Sequence, residues 1–148
     1  MDPPIAVATP VSPSPRPGLH TPLRIFIVEN HEDTRFLLGL LLEQLGHTVA
    51  SVATMQEALQ TIPGARCDVL ISDVGLPDGN GWELLKKLGA DRPRYAIAMS
   101  GFGMSADRER SRAAGYRHHL LKPVEPNELE TLLDEAAAEA AAPHRSPA

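Results

Sequence analysis

Several polar side chains stand directly after apolar runs in this sequence. Glu29 and Asn30 follow the first run, and Asp73 ends a later run just before a loop rich in glycine and proline. Ser100 and Lys122 come at the ends of two further runs. If each run is a strand of a parallel sheet, these groups meet at the carboxyl edge of the sheet, where open α/β proteins bind their ligands. The sequence therefore predicts a site that combines carboxylates, an amide, a hydroxyl and an ammonium group.

These residue types can bind a metal ion beside a reactive carboxylate. A carboxylate at a strand end can act as a nucleophile, and Asp73 is the candidate. Glu29 and Asp73 offer the hard oxygen ligands that Mg²⁺, or Mn²⁺ in its place, prefers. We therefore expect a metal site centred on Asp73.

Composition limits the classes of protein to which the chain can belong. With 148 residues, 43% hydrophobic and 22% charged, one globular domain is expected. A formal charge of -5 argues against direct binding of nucleic acid, which needs a basic face. The single cysteine, Cys67, cannot form an internal disulfide and is expected to be a small, largely buried residue. No apolar stretch approaches the roughly 20 residues of a membrane span and no signal peptide is recognisable, so we expect a cytoplasmic protein.

The elements that must position these groups alternate along the chain. We expect a disordered proline-rich tail over residues 1–22, a folded domain over 23–141 and a second disordered tail over 142–148. Within the domain, apolar runs and helical patterns predict strands over 23–28, 47–52, 67–73, 95–99 and 117–121, and helices over 32–45, 54–62, 81–88, 104–114 and 126–141. Near-continuous apolar strands that alternate with helices indicate an α/β protein with a doubly wound, five-stranded parallel sheet.

At this point the sequence resembles the receiver domain of two-component response regulators. The likeness covers roughly residues 23–140 and has the character of a single-domain, chemotaxis-regulator-like receiver. Five short motifs occur in the family's order, each at a predicted strand end: Ile27-Val28-Glu29-Asn30, Leu70-Ile71-Ser72-Asp73, Leu76-Pro77-Asp78-Gly79-Asn80-Gly81, Ala98-Met99-Ser100-Gly101 and Leu121-Lys122-Pro123. The resemblance implies a flavodoxin-like fold with five strands and five helices. It also implies that a partner histidine kinase or histidine phosphotransferase phosphorylates one aspartate.

The resemblance assigns the metal ligands and the phosphoacceptor. Asp73 would accept the phosphoryl group, and the metal would be held by Glu29, Asn30, Asp73 and the backbone carbonyl of Gly75. Most members have two adjacent acids after the first strand, whereas this chain has Glu29 and Asn30. The amide oxygen of Asn30 still ligates but brings no charge, so we expect weaker metal binding.

The resemblance also assigns the groups that contact the phosphoryl group. Ser100 would donate its hydroxyl, Gly101 would leave room, and Lys122 would pair with another phosphoryl oxygen. Pro123 matches the family's cis-proline turn, which aims the ammonium group inward.

His119 occupies the position of the family's switch aromatic, nineteen residues after Ser100. A histidine can play this part and adds sensitivity to pH near neutrality. A half-exposed strand histidine without a switching role is the alternative. Strand alternation predicts that His118 faces the opposite way.

Output would pass to an unknown downstream protein or through a phosphorylation-dependent homodimer, and no membrane insertion is expected. The family usually changes the face of the fourth helix, fifth strand and fifth helix. The first helix carries more leucines than one buried stripe needs, so Leu38 and Leu42 are candidates for exposure beside the site. The alternative, favoured for most of these leucines, is packing in the core. Trp82 is expected to pack near the third helix.

Three other functions compete with a phosphorylated receiver. A pseudo-receiver would signal by contacts alone, which Asn30 favours and Asp73 disfavours. A phosphatase of the haloacid dehalogenase type would need an aspartate where Gly75 stands. A flavodoxin would bind phosphate in a first loop that is acidic here. We therefore expect no enzyme, beyond Mg²⁺-dependent self-phosphorylation from a phosphodonor and self-dephosphorylation.

Overall fold

A computed structural model describes residues 22–101 and 105–141 as a three-layer α/β fold. The expected tails at 1–21 and 142–148, and a helix start at Met104, lie outside the described residues. Five strands form one sheet in the order β2-β1-β3-β6-β7, and every pairing is parallel. The strands are β1 (Arg24–Val28), β2 (Thr48–Val52), β3 (Val69–Asp73), β6 (Tyr95–Ser100) and β7 (His118–Leu121). The predicted doubly wound sheet is confirmed.

Five helices of the described residues cover the two faces of this sheet. They are α1 (Glu32–Gln44), α2 (Met55–Thr61), α3 (Gly81–Leu88), α4 (Ser105–Ala114) and α5 (Pro126–Ala141). Each of the first three begins at a side-chain cap, from His31, Thr54 and Asn80 respectively, which satisfies an amide of the first turn. Gly46 and Gly115 follow α1 and α4 with φ of +99° and +114°, a conformation that favours glycine. None of the helices in these ranges is both long enough and apolar enough to cross a membrane.

Apolar residues form one core on each side of the sheet. On one side, α1 and α5 pack against the sheet through Leu38, Leu42, Leu129 and Leu133. On the other side, α2 and α3 pack against it through a second cluster that includes Leu84. Every residue of β3 and β6 is buried, as expected for strands covered on both faces. The strand that ends in Asp73 is therefore held rigidly in the middle of the molecule.

Leu38 and Leu42 of α1 pack in the core, so their candidate exposure beside the site is wrong and the alternative role is confirmed for both. Leu38 and Leu42, proposed as exposed beside the site, are 6% and 0% exposed. Leu37 and Phe36 instead are 61% and 65% exposed. Leucines occur on more than one face of this helix, so spacing alone could not fix its rotation, and packing on the sheet decided it.

Smaller differences concern the ends of the strands. His47 precedes β2 and its Nδ1 accepts a hydrogen bond from the Leu23 amide at 3.0 Å, while Asp68 accepts one from the Arg24 amide at 2.9 Å. Two short strands that the sequence did not predict, β4 (Gly75–Leu76) and β5 (Gly79–Asn80), pair antiparallel in the loop after β3.

Cys67 is half-buried, as expected, and burial raises the pKa of its thiol to about 12.

Candidate functional site

The predicted site residues meet at the carboxyl edge of the sheet. Glu29 directly follows β1, Asp73 ends β3, Ser100 ends β6 and Lys122 directly follows β7. The strand register places them side by side, because Asp73 pairs with Met99 and Ser100 pairs with Leu121. The parallel sheet thus brings together four groups that lie up to 93 positions apart in the chain.

Lys122 connects the two carboxylates. Its Nζ lies 2.6 Å from Asp73 Oδ2 and 2.6 Å from Glu29 Oε1. The Glu29 side chain is 1% exposed and that of Asp73 is 11% exposed, so little water shields the three charges. One ammonium group therefore balances two nearly buried carboxylates, and the cluster carries a net negative charge when all three are ionised.

These surroundings shift the titration of both Asp73 and Lys122. Burial raises the pKa of Asp73, the Lys122 ammonium opposes the shift, and the neighbouring Glu29 carboxylate adds to it, so that the pKa stays above its ordinary value. Burial lowers the pKa of Lys122, but the close contacts of its ammonium group with the Asp73 and Glu29 carboxylates outweigh burial and leave the pKa raised. Lys122 is therefore a permanent cation at neutral pH.

Glu29 is fixed in place by the chain around it. Its Oε2 accepts a hydrogen bond from the His31 amide at 2.9 Å, and its backbone carbonyl accepts one from Arg35 Nη1 at 2.8 Å. Its Oε1 is buried and takes no hydrogen bond of suitable geometry, although the Lys122 ammonium lies within ion-pair distance. A buried carboxylate oxygen that accepts no hydrogen bond is available to bind a cation.

The oxygen groups at this edge fit a magnesium ion. Mg²⁺ takes one or two protein carboxylates together with neutral oxygens and water, and Glu29 and Asp73 supply two carboxylates. Gly75 lies beside them, because its amide donates to Asp73 Oδ1 at 3.2 Å. Asn30 is exposed next to Glu29. The described residues hold no cluster of three or more histidine, cysteine or acidic side chains that could hold a metal ion.

Two flanking predictions concern Pro123 and Gly101. The Lys122–Pro123 peptide is cis, as predicted. Gly101 is exposed, and a Cβ atom built on it would meet nothing within 4 Å, which agrees with the expected open space.

His119 joins the site through Ser100. The His119 Nε2 and Ser100 Oγ atoms are 2.7 Å apart, and the His119 Nδ1 and Ser111 Oγ atoms are 2.8 Å apart. Burial and the positive charge of Arg108 lower the pKa of His119. His118 points elsewhere, towards Tyr95 and Glu135, as strand alternation predicted.

Sequence reasoning missed the second contact of His119. Ser111 lies in α4, is 1% exposed and also accepts a hydrogen bond from Trp82 Nε1 at 2.9 Å. No motif marks Ser111 in the sequence, because its role depends on how α4 packs against β7.

A cavity of about 490 Å³ opens beside Lys122. Leu37 and Leu41 of α1 line one wall, and Pro123 and Val124 line the other. The exposed Phe36, Leu37 and Leu40 extend this apolar surface along α1.

Comparisons with known proteins agree with this geometry. The model of the response regulator receiver domain family matches residues 25–134. The polar-differentiation response regulator DivK of Brucella anthropi is 32% identical over 115 residues, which cover 75% of this chain and 94% of DivK. The virulence sensor protein BvgS of Bordetella pertussis is 34% identical over 148 residues, but the chain spans only 12% of that protein.

Solved structures show the same likeness. A CheY-like receiver domain protein of Methanospirillum hungatei aligns with a TM-score of 0.74 and 30% identity, covering 80% of this chain and 96% of the other. The chemotaxis response regulator CheY4 of Vibrio cholerae aligns with a TM-score of 0.72 and 25% identity, covering 78% and 99% respectively.

Proposed function

Because this chain belongs to the response regulator receiver domain family of two-component signalling, we propose that it accepts a phosphoryl group on Asp73 in a Mg²⁺-dependent reaction and thereby changes its binding to partner proteins. The observation that carries the proposal is the cluster in which Lys122 Nζ lies 2.6 Å from both Asp73 Oδ2 and Glu29 Oε1. A buried structural ion pair needs one acid for one base, and the second carboxylate here leaves negative charge for a metal ion.

The covalent step uses the Asp73 carboxylate as the nucleophile. One carboxylate oxygen attacks the phosphorus atom of a phosphohistidine on the partner, the phosphorus–nitrogen bond breaks, and the electron pair remains on the departing imidazole, which then takes up a proton. The product is an acyl phosphate on Asp73. No external substrate is turned over, so we propose a signalling switch with self-phosphorylation and self-dephosphorylation as its only chemistry.

Neighbouring residues would stabilise the charge that develops on the phosphoryl oxygens. Lys122 is a permanent cation in contact with Asp73, and it can move with the negative charge from the carboxylate to a phosphoryl oxygen. Ser100 ends the adjacent strand and can donate its hydroxyl. Gly101 leaves the approach open.

A magnesium ion would be held by Glu29 and Asp73, with Asn30 and the Gly75 carbonyl as neutral ligands. When bound, it supplies positive charge that offsets repulsion between the acidic site and the phosphoryl group. The neutral amide of Asn30 reduces the negative charge that attracts the metal.

The phosphodonor would be a histidine kinase or a histidine phosphotransfer protein, which uses phosphoryl groups derived from cytoplasmic ATP. The solved complex of yeast Ypd1 with the receiver domain of Ssk1 has this fold at 20% identity, a TM-score of 0.76 and 83% coverage of this chain. The cavity beside Lys122, with the exposed Leu37 and Leu40 next to it, offers an apolar surface for such a donor.

Intact-mass spectrometry with acetyl phosphate and Mg²⁺ tests the proposed function. The parent chain should gain the mass of one phosphoryl group, and both EDTA and Asp73→Asn should prevent the gain. Asp91→Asn, at an exposed aspartate outside the site, is the matched control and should behave as the parent. Equal phosphorylation of Asp73→Asn would overturn the assignment.

A pseudo-receiver is the second candidate, and Asn30 is the observation that favours it. Asn30→Asp adds a carboxylate and should increase Mg²⁺ affinity by about tenfold, as one added charge at close range does. If the parent gains no mass but Asn30→Asp does, metal binding limits the natural chain. If neither gains mass even from a phosphorylated histidine donor, the chain acts by contacts alone.

A further inference from the structure

A line of hydrogen-bonded side chains connects the candidate phosphoryl site to the surface of α3. Ser100 Oγ lies 2.7 Å from His119 Nε2, and His119 Nδ1 lies 2.8 Å from Ser111 Oγ. Trp82 Nε1 donates to the same Ser111 Oγ at 2.9 Å. We call this set, Ser100–His119–Ser111–Trp82, the serine–histidine relay. The first contact is implied by the family resemblance, whereas the contacts of Ser111 and Trp82 are found only in the structure.

The hydrogen bonds of this relay can all be donated in one direction, from Trp82 towards Ser100. An indole nitrogen can only donate, so Ser111 Oγ must accept from Trp82. In the arrangement with a single direction, the Ser111 hydroxyl donates to His119 Nδ1, and the imidazole hydrogen lies on Nε2 and points at Ser100 Oγ. The hydroxyl hydrogen of Ser100 is thereby turned towards an acceptor other than His119, as a phosphoryl oxygen requires. Hydrogen bonds aligned in this way strengthen one another.

Trp82 at the far end of the relay lines a groove between α3 and α4. The groove has a volume of about 680 Å³, and its walls carry Lys86, Arg92 and Arg110. The Arg110 guanidinium lies 4.0 Å above the centre of the Trp82 ring, so the indole positions this cation. We call this surface the α3–α4 groove.

The charge of the α3–α4 groove is opposite to that of the whole chain. The chain has a formal charge of -5, whereas three cations and one acid, Glu83, line the groove. Glu83 is paired with Lys87 at 3.6 Å, which reduces its influence. A basic groove with an aromatic wall on an acidic protein fits an acidic peptide, and the overall charge disfavours nucleic acid.

We propose that the α3–α4 groove binds an acidic segment of a partner protein, and that phosphorylation of Asp73 changes this affinity through the serine–histidine relay. The coupling rests on the proposed function, whereas the binding surface does not. When Ser100 donates to a phosphoryl oxygen, its own oxygen becomes a stronger acceptor for His119, and this strengthening passes through Ser111 to Trp82 and to the Arg110 cation stacked on it. The output surface therefore includes α3 as well as the α4–β7–α5 face.

The first experiment tests the groove on the unphosphorylated full-length chain by fluorescence anisotropy. Labelled octaglutamate should bind more tightly than labelled octalysine or an eight-nucleotide oligouridylate. Arg110→Glu and Lys86→Glu should each weaken octaglutamate binding about threefold to tenfold at low ionic strength. Arg66→Glu makes the same charge change at an exposed site away from the groove and should have a smaller effect. Equal effects of Arg66→Glu and Arg110→Glu, or tighter binding of the oligouridylate, would disprove that the groove binds an acidic peptide.

The second experiment tests the relay, for which Trp82 is a natural probe because it is the only tryptophan in the chain. Phosphorylation should change Trp82 emission and alter octaglutamate affinity severalfold. Ser111→Ala removes the middle of the relay and keeps Asp73, Ser100, Lys122 and the three cations of the groove, and both responses should be lost. Mass spectrometry and thermal unfolding of the same samples establish that Ser111→Ala is folded and phosphorylated. Full responses in phosphorylated Ser111→Ala would disprove the coupling.

The two proposals fail in different ways. If the parent chain gains no phosphoryl mass, the proposed function and the coupling both fail. Octaglutamate binding still tests whether the groove binds an acidic peptide. If the parent is phosphorylated but Trp82 emission and octaglutamate affinity do not respond, only the relay is overturned.

Discussion

At the residue scale, two carboxylate groups share one ammonium group at the carboxyl edge of the sheet. Burial and the Glu29 charge keep the pKa of Asp73 above its ordinary value in spite of Lys122. A raised pKa means that folding disfavours the charged carboxylate relative to the unfolded chain. The charged Asp73 carboxylate therefore lowers the stability of the protein, as groups in functional sites often do.

Asp73→Asn should stabilise the protein. The substitution removes one of the two negative charges and keeps the shape of the side chain, so we expect the free energy of unfolding at pH 7 to rise by about 1 kcal/mol. Urea denaturation measures the change, with Asp91→Asn as a surface control.

The stabilisation by Asp73→Asn should depend on pH. The folded-state pKa of Asp73 is above the unfolded value of about 3.9, so the folded protein binds the proton more tightly and the penalty disappears as pH falls through the folded-state pKa. The gain from Asp73→Asn should be full at neutral pH and absent below pH of about 3.9. A gain that persists in acid would show that packing, and not charge, causes it.

At the element scale, the loop after β3 fastens α2 and α3 to the site. Asp78 accepts hydrogen bonds from the Met55 and Gln56 amides at 2.8 and 2.9 Å, and so caps α2 from another part of the chain. Gly81 begins α3, and its carbonyl accepts a hydrogen bond from the Tyr116 hydroxyl at 2.6 Å. The loop that follows Asp73 is thus fixed at both of its ends.

Gly81→Ala should destabilise the fold. A Cβ atom at Gly81 would lie 2.7 Å from the Asp73 carbonyl oxygen, which is a backbone atom that cannot move aside cheaply. We expect the free energy of unfolding to fall by about 2 kcal/mol. At Gly64 a Cβ atom would meet nothing within 4 Å, so Gly64→Ala should be neutral or stabilising by up to about 1 kcal/mol. Urea denaturation of Gly81→Ala and Gly64→Ala measures the two changes in the free energy of unfolding. Equal changes would exclude the steric explanation.

Asp78→Ala should destabilise the protein at neutral pH and less so in acid. Hydrogen bonds from the Gln56 and Met55 amides lower the pKa of Asp78 below its usual value. Its contribution is therefore complete above the unfolded pKa of about 3.9 and is lost as pH falls through the lower folded-state pKa. Thermal unfolding of Asp78→Ala and Asp91→Ala across this range provides the measurement. The same difference between the two variants at every pH would contradict the cap.

The elements show where sequence reasoning succeeds and fails. The limits of α3 and α5 were predicted to the residue, because asparagine or proline marks the start of each helix. The sequence did not predict which face of α1 is exposed. Leucines lie on several faces of this helix, and only its packing on the sheet determines that Leu38 and Leu42 are the buried ones. The cap by Asp78 also escaped prediction, as it joins residues 22 and 23 positions apart.

At the scale of the whole molecule, the sheet brings distant residues together at one edge. Glu29, Asp73, Ser100 and Lys122 were all identified in the sequence, because a parallel sheet places every strand end on the same side. The relay could not be predicted beyond His119, because the contact of Ser111 with Trp82 depends on how α4 packs beside α3. Sequence patterns thus predict the strand ends well and the contacts between helices poorly.

Removal of residues 1–21 should leave stability unchanged. Among residues 22–101 and 105–141, which the structure describes, the buried members of the two cores lie between Leu23 and Ala137. We expect the free energy of unfolding to change by less than about 0.5 kcal/mol. Urea denaturation of the shortened and full-length chains tests this limit on the domain. A larger loss of stability would place its boundary earlier in the chain.

The strand order also governs how the chain reaches this structure. Every pairing in the main sheet is parallel, so no two of its strands can form a hairpin, and even the nearest partners, Ile97 and His118, are 21 residues apart. The entropy cost of closing loops of this length arises before the stabilising contacts between the strands have formed. We therefore expect folding in milliseconds or more slowly. The order β2-β1-β3-β6-β7 nevertheless allows growth in the direction of synthesis, since β1, β2 and β3 can associate before β6 has left the ribosome. Asp73 would then be placed early, on the strand that serves as the template for the second half of the sheet.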